Sequence, residues 1–150
     1  MTDEHDFAET INQSLGGWNR AMGLCFTRAT ASSVTAELTV GADHLQPYGI
    51  VHGGVYAGII ETVCSTGAAL AAARNGQVVV GVDNHSSFLR ATRAGKLTVS
   101  ATPLTRGRRT QVWDGRVVDA AGTLVATGRV RLICVEGGAD LAGEPVGVKA

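Results

Sequence analysis

A chain of 150 residues falls within the size of one domain and is long enough to bury a sizeable core. Its 13 basic residues balance 13 acidic ones, which argues against a partner held by bulk charge, such as nucleic acid or an anionic membrane surface. Cys25, Cys64 and Cys134 are odd in number, far apart and set in apolar surroundings. They read as reduced core cysteines and indicate neither a disulfide framework nor a zinc site, so no metal is expected.

The first seven residues are acidic and polar with no apolar signal stretch, which leads us to expect a cytoplasmic protein. Phe7, Ile11, Leu15 and Trp18 recur at helical spacing and predict one outer helix ending near Gly16-Gly17, so residues 1–20 form an N-terminal helical segment. The main domain spans 21–135. A strand is expected within 22–29, and a half-buried strand over 33–40, where Val34, Ala36, Leu38 and Val40 alternate with polar residues. Gly41, Gln46, Pro47, Gly49 and Gly53 then give a loop composition.

From Gly53 to Ala73 the segment is apolar or small on nearly every side, which predicts a long buried helix stopping at Arg74-Asn75-Gly76. Its length also suits a membrane span, but its hydroxyls, its glycines and a mid-helix carboxylate weigh against that reading. The carboxylate is Glu61. Burying it needs a purpose or compensation, so it is either catalytic or a structural group, neutral or paired with an arginine such as Arg90.

Strands are expected over 77–89, 96–104, 109–119 and 123–135, with turns at Gly107 and Ala121-Gly122. Residues 136–150 lack periodicity and read as a flexible tail. This order predicts an α+β domain, an antiparallel β-sheet wrapped around the long helix. One sheet cannot enclose a helix on all sides, so a second subunit should cover part of the helix or an edge strand.

Several residues could carry chemistry. Gly53 and Gly54 at the helix start could offer backbone N–H groups to an oxyanion, although a tight turn would look the same. His52 could be a general base or a turn histidine held by backbone. Gly53 and Glu61 stand eight residues apart, roughly 12 Å along a helix, too far to act on one carbonyl from the same chain. An active site shared by two antiparallel helices across a twofold axis removes the difficulty. Arg90, Arg93, Arg106, Arg108 and Arg109 make either a phosphate-binding edge or a solvated turn around 105–110. Asp83, Asn84 and His85 are further candidates, with satisfied strand residues as the plainer reading.

Gln46-Pro47-Tyr48-Gly49-Ile50-Val51-His52-Gly53-Gly54, then Glu61, then Val82-Asp83-Asn84-His85-Ser86-Ser87-Phe88-Leu89-Arg90 resembles the hotdog-fold acyl-CoA thioesterases, in their phenylacetate-pathway and 4-hydroxybenzoyl-CoA branch. The resemblance covers roughly residues 20–135. It implies a homodimer that forms the active site, commonly a homotetramer. The activity it implies is hydrolysis of an aromatic or medium- to long-chain acyl-CoA, with coenzyme A as part of the substrate and no separate cofactor. By the same resemblance, Glu61 is the catalytic carboxylate, Gly53 polarises the thioester carbonyl with the help of Gln46, and Ser65 positions water. Arg90 and the turn Arg106, Arg108, Arg109 and Thr110 fall where such enzymes contact CoA phosphates. Gly81 stands where some branches carry a serine. Two rivals stay open, an acyl-thioester dehydratase or hydratase using His52 and Glu61, and a noncatalytic acyl-CoA-binding protein.

Overall fold

In the computed structural model, which describes residues 4–148, the helix with the smallest share of polar residues is also the one most enclosed. Helix α3 follows two short N-terminal helices, α1 (Ala8–Gln13) and α2 (Gly17–Ala21), and runs from Gly53 to Ala73. His52 caps it, its Nδ1 accepting the Gly54 N–H at 2.8 Å. The chain leaves the helix through Arg74-Asn75 and turns at Gly76, whose φ of +69° suits a residue without Cβ.

Strands β1 (Cys25–Ala29), β2 (Val34–Thr39), β3 (Gln77–Phe88), β4 (Lys96–Arg106), β5 (Thr110–Val118) and β6 (Leu124–Glu136) form one six-stranded sheet in the order β1-β2-β4-β5-β6-β3. Every pairing is antiparallel. Alternate residues turn inward, so Val34, Ala36, Leu38, Leu97, Val99, Ala101, Trp113, Val130 and Leu132 meet Ile59, Ile60, Val63, Cys64 and Ala68 of α3 in one core. Each fully buried Ile or Leu contributes about 1.5–3 kcal/mol of transfer free energy.

Glycines set how closely the helix lies on the sheet. Gly115 and Gly128 are register partners, and a Cβ on either would come within 3 Å of Ile60 Cγ2. A sheet curled about one apolar helix is the hotdog fold. Although α3 has the length and hydropathy of a membrane span, it is the core helix of this sheet.

Differences from the sequence reading are local. The N-terminal helix expected to end near Gly16-Gly17 stops at Gln13, and a second short helix starts at Gly17; Ile11 and Leu15 pack on the core, whereas Trp18 belongs to α2 and is 43% exposed. The apolar stripe runs on past Gln13 in sequence but the helix does not, since Gly16 is extended and Gly17 takes φ +52°. Cys25 is exposed, so only Cys64 is a core thiol and Cys134 is half-buried. The segment after 136 carries a small hairpin, β7 (Asp140–Leu141) with β8 (Glu144–Pro145), where no regular structure was expected. Residues 1–3 and 149–150, the outer ends of the two expected terminal segments, lie outside the described residues.

Strand β3 is a sheet edge with a bulge, its pairing to β6 jumping between Gly81 and Asp83. The bulge changes which residues of this edge face the helix. It lies beside Glu61.

Candidate active site

Glu61 sits half-buried on the third turn of α3. Ser65, one turn on, donates its hydroxyl to Oε1 at 3.2 Å, and Asn84 Nδ2 donates to Oε2 at 2.9 Å. The second proton of the same amide goes to the Ala57 carbonyl at 3.1 Å, and Ser86 Oγ donates to Asn84 Oδ1 at 2.7 Å. The amide is thereby fixed in orientation. Gly81 closes the far side: a Cβ there would lie 2.4 Å from Glu61 Oε1.

A carboxylate has about four acceptor positions, and two protein donors leave it room to accept from water or substrate. Glu61, Ala57, Gly58, Asn84, Ser86 and Phe88 line a cavity of about 410 Å³ that supplies the space. Among the described residues no Arg or Lys forms an ion pair with Glu61, which removes the reading of a carboxylate paired with Arg90. Cys64, three residues on, is a poor nucleophile, since burial pushes its thiol well above the usual range and the charges of Glu61 and Asp114 push it further.

A second cavity of about 310 Å³ lies at the helix start, lined by Gln46, Ile50, Gly53, Tyr56, Phe88 and Arg90 among others. Within the described residues the Gly53 N–H has no acceptor, as expected for the first residue of a helix. The Phe88 ring covers Gly53, where a Cβ would come within 2.5 Å of it. Gln46 Oε1 accepts the Tyr48 N–H, so the side-chain NH₂ is left to face a ligand. Arg93 secures the turn by donating to the Tyr48 carbonyl at 2.8 Å and the Gly49 carbonyl at 3.1 Å. That gives Arg93 a structural task.

These contacts choose between the alternatives left open for His52 and Gly54 within one chain. His52 caps α3 roughly 13 Å of helix rise away from Glu61, so the two are not an acid–base pair within one chain. Gly54 has already given its N–H to that cap, which leaves Gly53 as the free donor.

The arginine turn is also placed elsewhere. Gln111, next to Thr110, donates to the Ala68 carbonyl at 3.0 Å, which sets this end of the hairpin beside the C-terminal half of α3. Arg106 donates to the Ala31 carbonyl at 2.9 Å and ties β4 to the β1–β2 turn. Within one chain, Arg106, Arg108, Arg109 and Thr110 line neither cavity described above, whereas Arg90 lines the one beside Gly53.

Asn84, Ser86 and Phe88 carry more of the site than sequence reasoning gave them. Their alternation along β3 was the available signal, one face of an edge strand turned toward the helix. Gly81, noted in the sequence for the serine it replaces, reaches the site through the bulge, which brings an odd-numbered position onto the side of the even-numbered ones.

A carboxylate with open acceptor positions and an unused helix N–H on a hotdog fold define a thioester hydrolase. Residues 48–126 match the Thioesterase superfamily, and the chain belongs to that family. It is 41% identical over 113 residues to Rv1847, a Mycobacterium tuberculosis protein carrying an esterase name, covering 74% of this chain and 81% of that one. The proofreading thioesterase EntH of Klebsiella pneumoniae is 35% identical over 109 residues, 73% of this chain and 79% of EntH. The solved structure of a Haemophilus influenzae thioesterase superposes with a TM-score of 0.81 at 30% identity, covering 86% of this chain and 90% of that one.

Proposed function

We propose that the protein hydrolyses acyl-CoA thioesters at a site built by two copies of the chain. The carrying observation is the division of labour between the two cavities. Glu61 has open acceptor positions but no oxyanion donor beside it; Gly53 and Gln46 offer donors with no carboxylate beside them.

An antiparallel second protomer supplies the missing half to each. The twelve-residue edge strand β3 supports this arrangement, because it presents unpaired backbone and a Val82 side chain that is 50% exposed. In the combined site the partner subunit's Gly53 N–H and Gln46 amide polarise the thioester carbonyl. Glu61 delivers the attack, either directly or by taking the proton of a water. When Glu61 acts on water, the water oxygen bonds the carbonyl carbon, the C–S bond breaks, and the proton taken by Glu61 passes to the CoA thiolate. When Glu61 attacks directly, CoA leaves as the thiolate and a mixed anhydride remains, which a water then cleaves to the free acid and the restored carboxylate, the water's released proton meeting the thiolate.

The acyl group we expect is aromatic or of medium to long chain, the assembly a homodimer or a pair of them, and the setting cytoplasmic. Coenzyme A enters as part of the substrate. The capped state of His52 disfavours hydration or dehydration. Release of free thiol from benzoyl-, 4-hydroxybenzoyl-, phenylacetyl- and straight-chain acyl-CoA tests the reading, and the ranking of these esters names the class. Binding of every ester without thiol release would replace it with a binding protein.

A further inference from the structure

Tyr56 carries a hydroxyl that the fold does not use. The residue is 2% exposed and its ring belongs to the core, yet among the described residues Tyr56 Oη has no hydrogen-bond partner. A phenylalanine would fill the same space, and a buried hydroxyl left unpaired costs free energy that a partner must offset. Gln77 Oε1 and Thr92 Oγ1 are also buried without a partner, but neither residue lines the two cavities of the site. Tyr56 does.

It lines the cavity at the start of α3, three residues after Gly53. A helical side chain leans over the turn that precedes it, which directs Tyr56 back toward Gly53. Phe88 ties the two together: its ring packs on Gly53 and lies 5.8 Å from the Tyr56 ring, tilted by 32°. Gln46 and Arg90 supply the other polar side chains of this cavity, and what they leave free can only donate. The molecule that enters therefore brings acceptors. Its thioester carbonyl is one, and Gly53 and Gln46 take it. Val51 and Tyr56 are the buried part of the cavity wall, whereas Leu89, Arg90 and Ala91 are exposed at its edge. Because the CoA arm is too large to bury and has to run out past that edge, the acyl group is the part that meets Tyr56.

We propose that Tyr56 is a specificity-determining residue that selects acyl groups bearing an oxygen, a hydroxyl or a ketone, and that its hydroxyl donates a hydrogen bond to that oxygen. This rests on the thioesterase reading above and narrows its substrate class to oxygenated acyl-CoA. Tyr56 touches the acyl group and takes no part in proton transfer.

The test compares esters that differ by one hydroxyl: 3-hydroxyhexanoyl-CoA against hexanoyl-CoA, and 2- and 4-hydroxybenzoyl-CoA against benzoyl-CoA. Wild-type protein prefers the hydroxylated member of at least one pair by about tenfold in kcat/KM, and Tyr56→Phe removes that preference by lowering kcat/KM for the hydroxylated ester alone. The same substitution leaves the melting temperature of the ligand-free protein unchanged or raised, because the fold loses no bond. No preference in any pair overturns the proposal, and so does an equal loss on both members, which would make Tyr56 a donor to the carbonyl or to the CoA arm. A lowered ligand-free melting temperature overturns it too, since the hydroxyl would then serve the fold. If the wild-type protein releases no thiol from any of these esters, the hydrolase reading fails. Calorimetric binding of the same pairs then decides the selection by itself: tighter binding of the hydroxylated ester, lost in Tyr56→Phe, supports it, and equal binding removes it.

Discussion

Glu61 Oε1 occupies the space that a side chain on residue 81 would need: a Cβ built on Gly81 lies 2.4 Å from it. The carboxylate thus rests against bare backbone at the β3 bulge, held there by Ser65 and Asn84. Gly81→Ala leaves the sheet intact, since this edge position is exposed, but forces the carboxylate to swing away. We expect kcat to fall about tenfold or more with melting temperature nearly unchanged, because displacing a reacting group by about 1 Å costs up to a hundredfold. Steady-state kinetics beside a thermal melt check both halves of the statement.

Asn84 is the residue that aims Glu61. Asn84→Ala removes the donor to Oε2 and the anchor on the Ala57 carbonyl together, and should lower kcat about tenfold to a hundredfold while KM moves little. Ser86→Ala, one bond further out, should do less. An effect confined to KM would make Asn84 a substrate contact instead.

Close packing at the helix–sheet contact gives a stability prediction. A Cβ on Gly67 would lie 2.4 Å from Cζ3 of Trp113, a rigid buried ring whose Nε1 is already committed to Gln111. Gly67→Ala should destabilise by about 1–3 kcal/mol, read from chemical denaturation. The same change at Gly76, where φ is +69° and space is open, costs through backbone strain and not through packing.

The N-terminal segment is tied by carboxylates and should loosen in acid. Asp6 Oδ1 accepts the Ala8 N–H at 3.0 Å and the Ala29 N–H at 2.9 Å; the Ala8 bond chiefly holds its pKa below the ordinary value, against a smaller opposing effect of burial. Glu4 is lowered in the same direction, first by the Ser32 hydroxyl and also by Arg74 at 2.7 Å. A folded pKa below the unfolded one means the stabilisation is complete above about pH 4 and is lost as pH falls through the folded value. Protection of the Ala8 and Ala29 amides, taken against the intrinsic exchange rate at each pH, should fall as pH drops below about 4. In Asp6→Asn that pH-dependent loss of protection should be absent.

Much of the fold was written in periodicity. The α3 limits match the apolar run Gly53–Ala73, because a helix buried on most sides needs no polar face, and the four later strands follow their alternation to within a few residues. What the sequence concealed depends on backbone geometry that pattern does not encode. Gly16-Gly17 interrupts a helical stripe that reads as continuous, and the bulge between Gly81 and Asp83 alters which β3 residues meet Glu61. Arg93 and Arg106 read as either a phosphate-binding edge or a solvated turn because sequence shows charge without showing the carbonyls of Tyr48, Gly49 and Ala31 that use it. Glu61 itself stood out as the one charged residue in an apolar helix. Asn84, its orienting partner, was a candidate only beside Asp83 and His85, since an asparagine on an exposed edge strand looks like any solvated residue until the helix is laid against it.

The central claim is that Glu61 carries out thioester hydrolysis, and the most direct measurement is thiol release from benzoyl-CoA and hexanoyl-CoA by wild-type protein and Glu61→Gln side by side. Glutamine keeps the size of the side chain and removes its charge, so the variant should fold and bind while turnover falls roughly a hundredfold to ten-thousandfold. Near-normal thiol release by a well-folded Glu61→Gln protein would contradict the account and place the reacting group elsewhere.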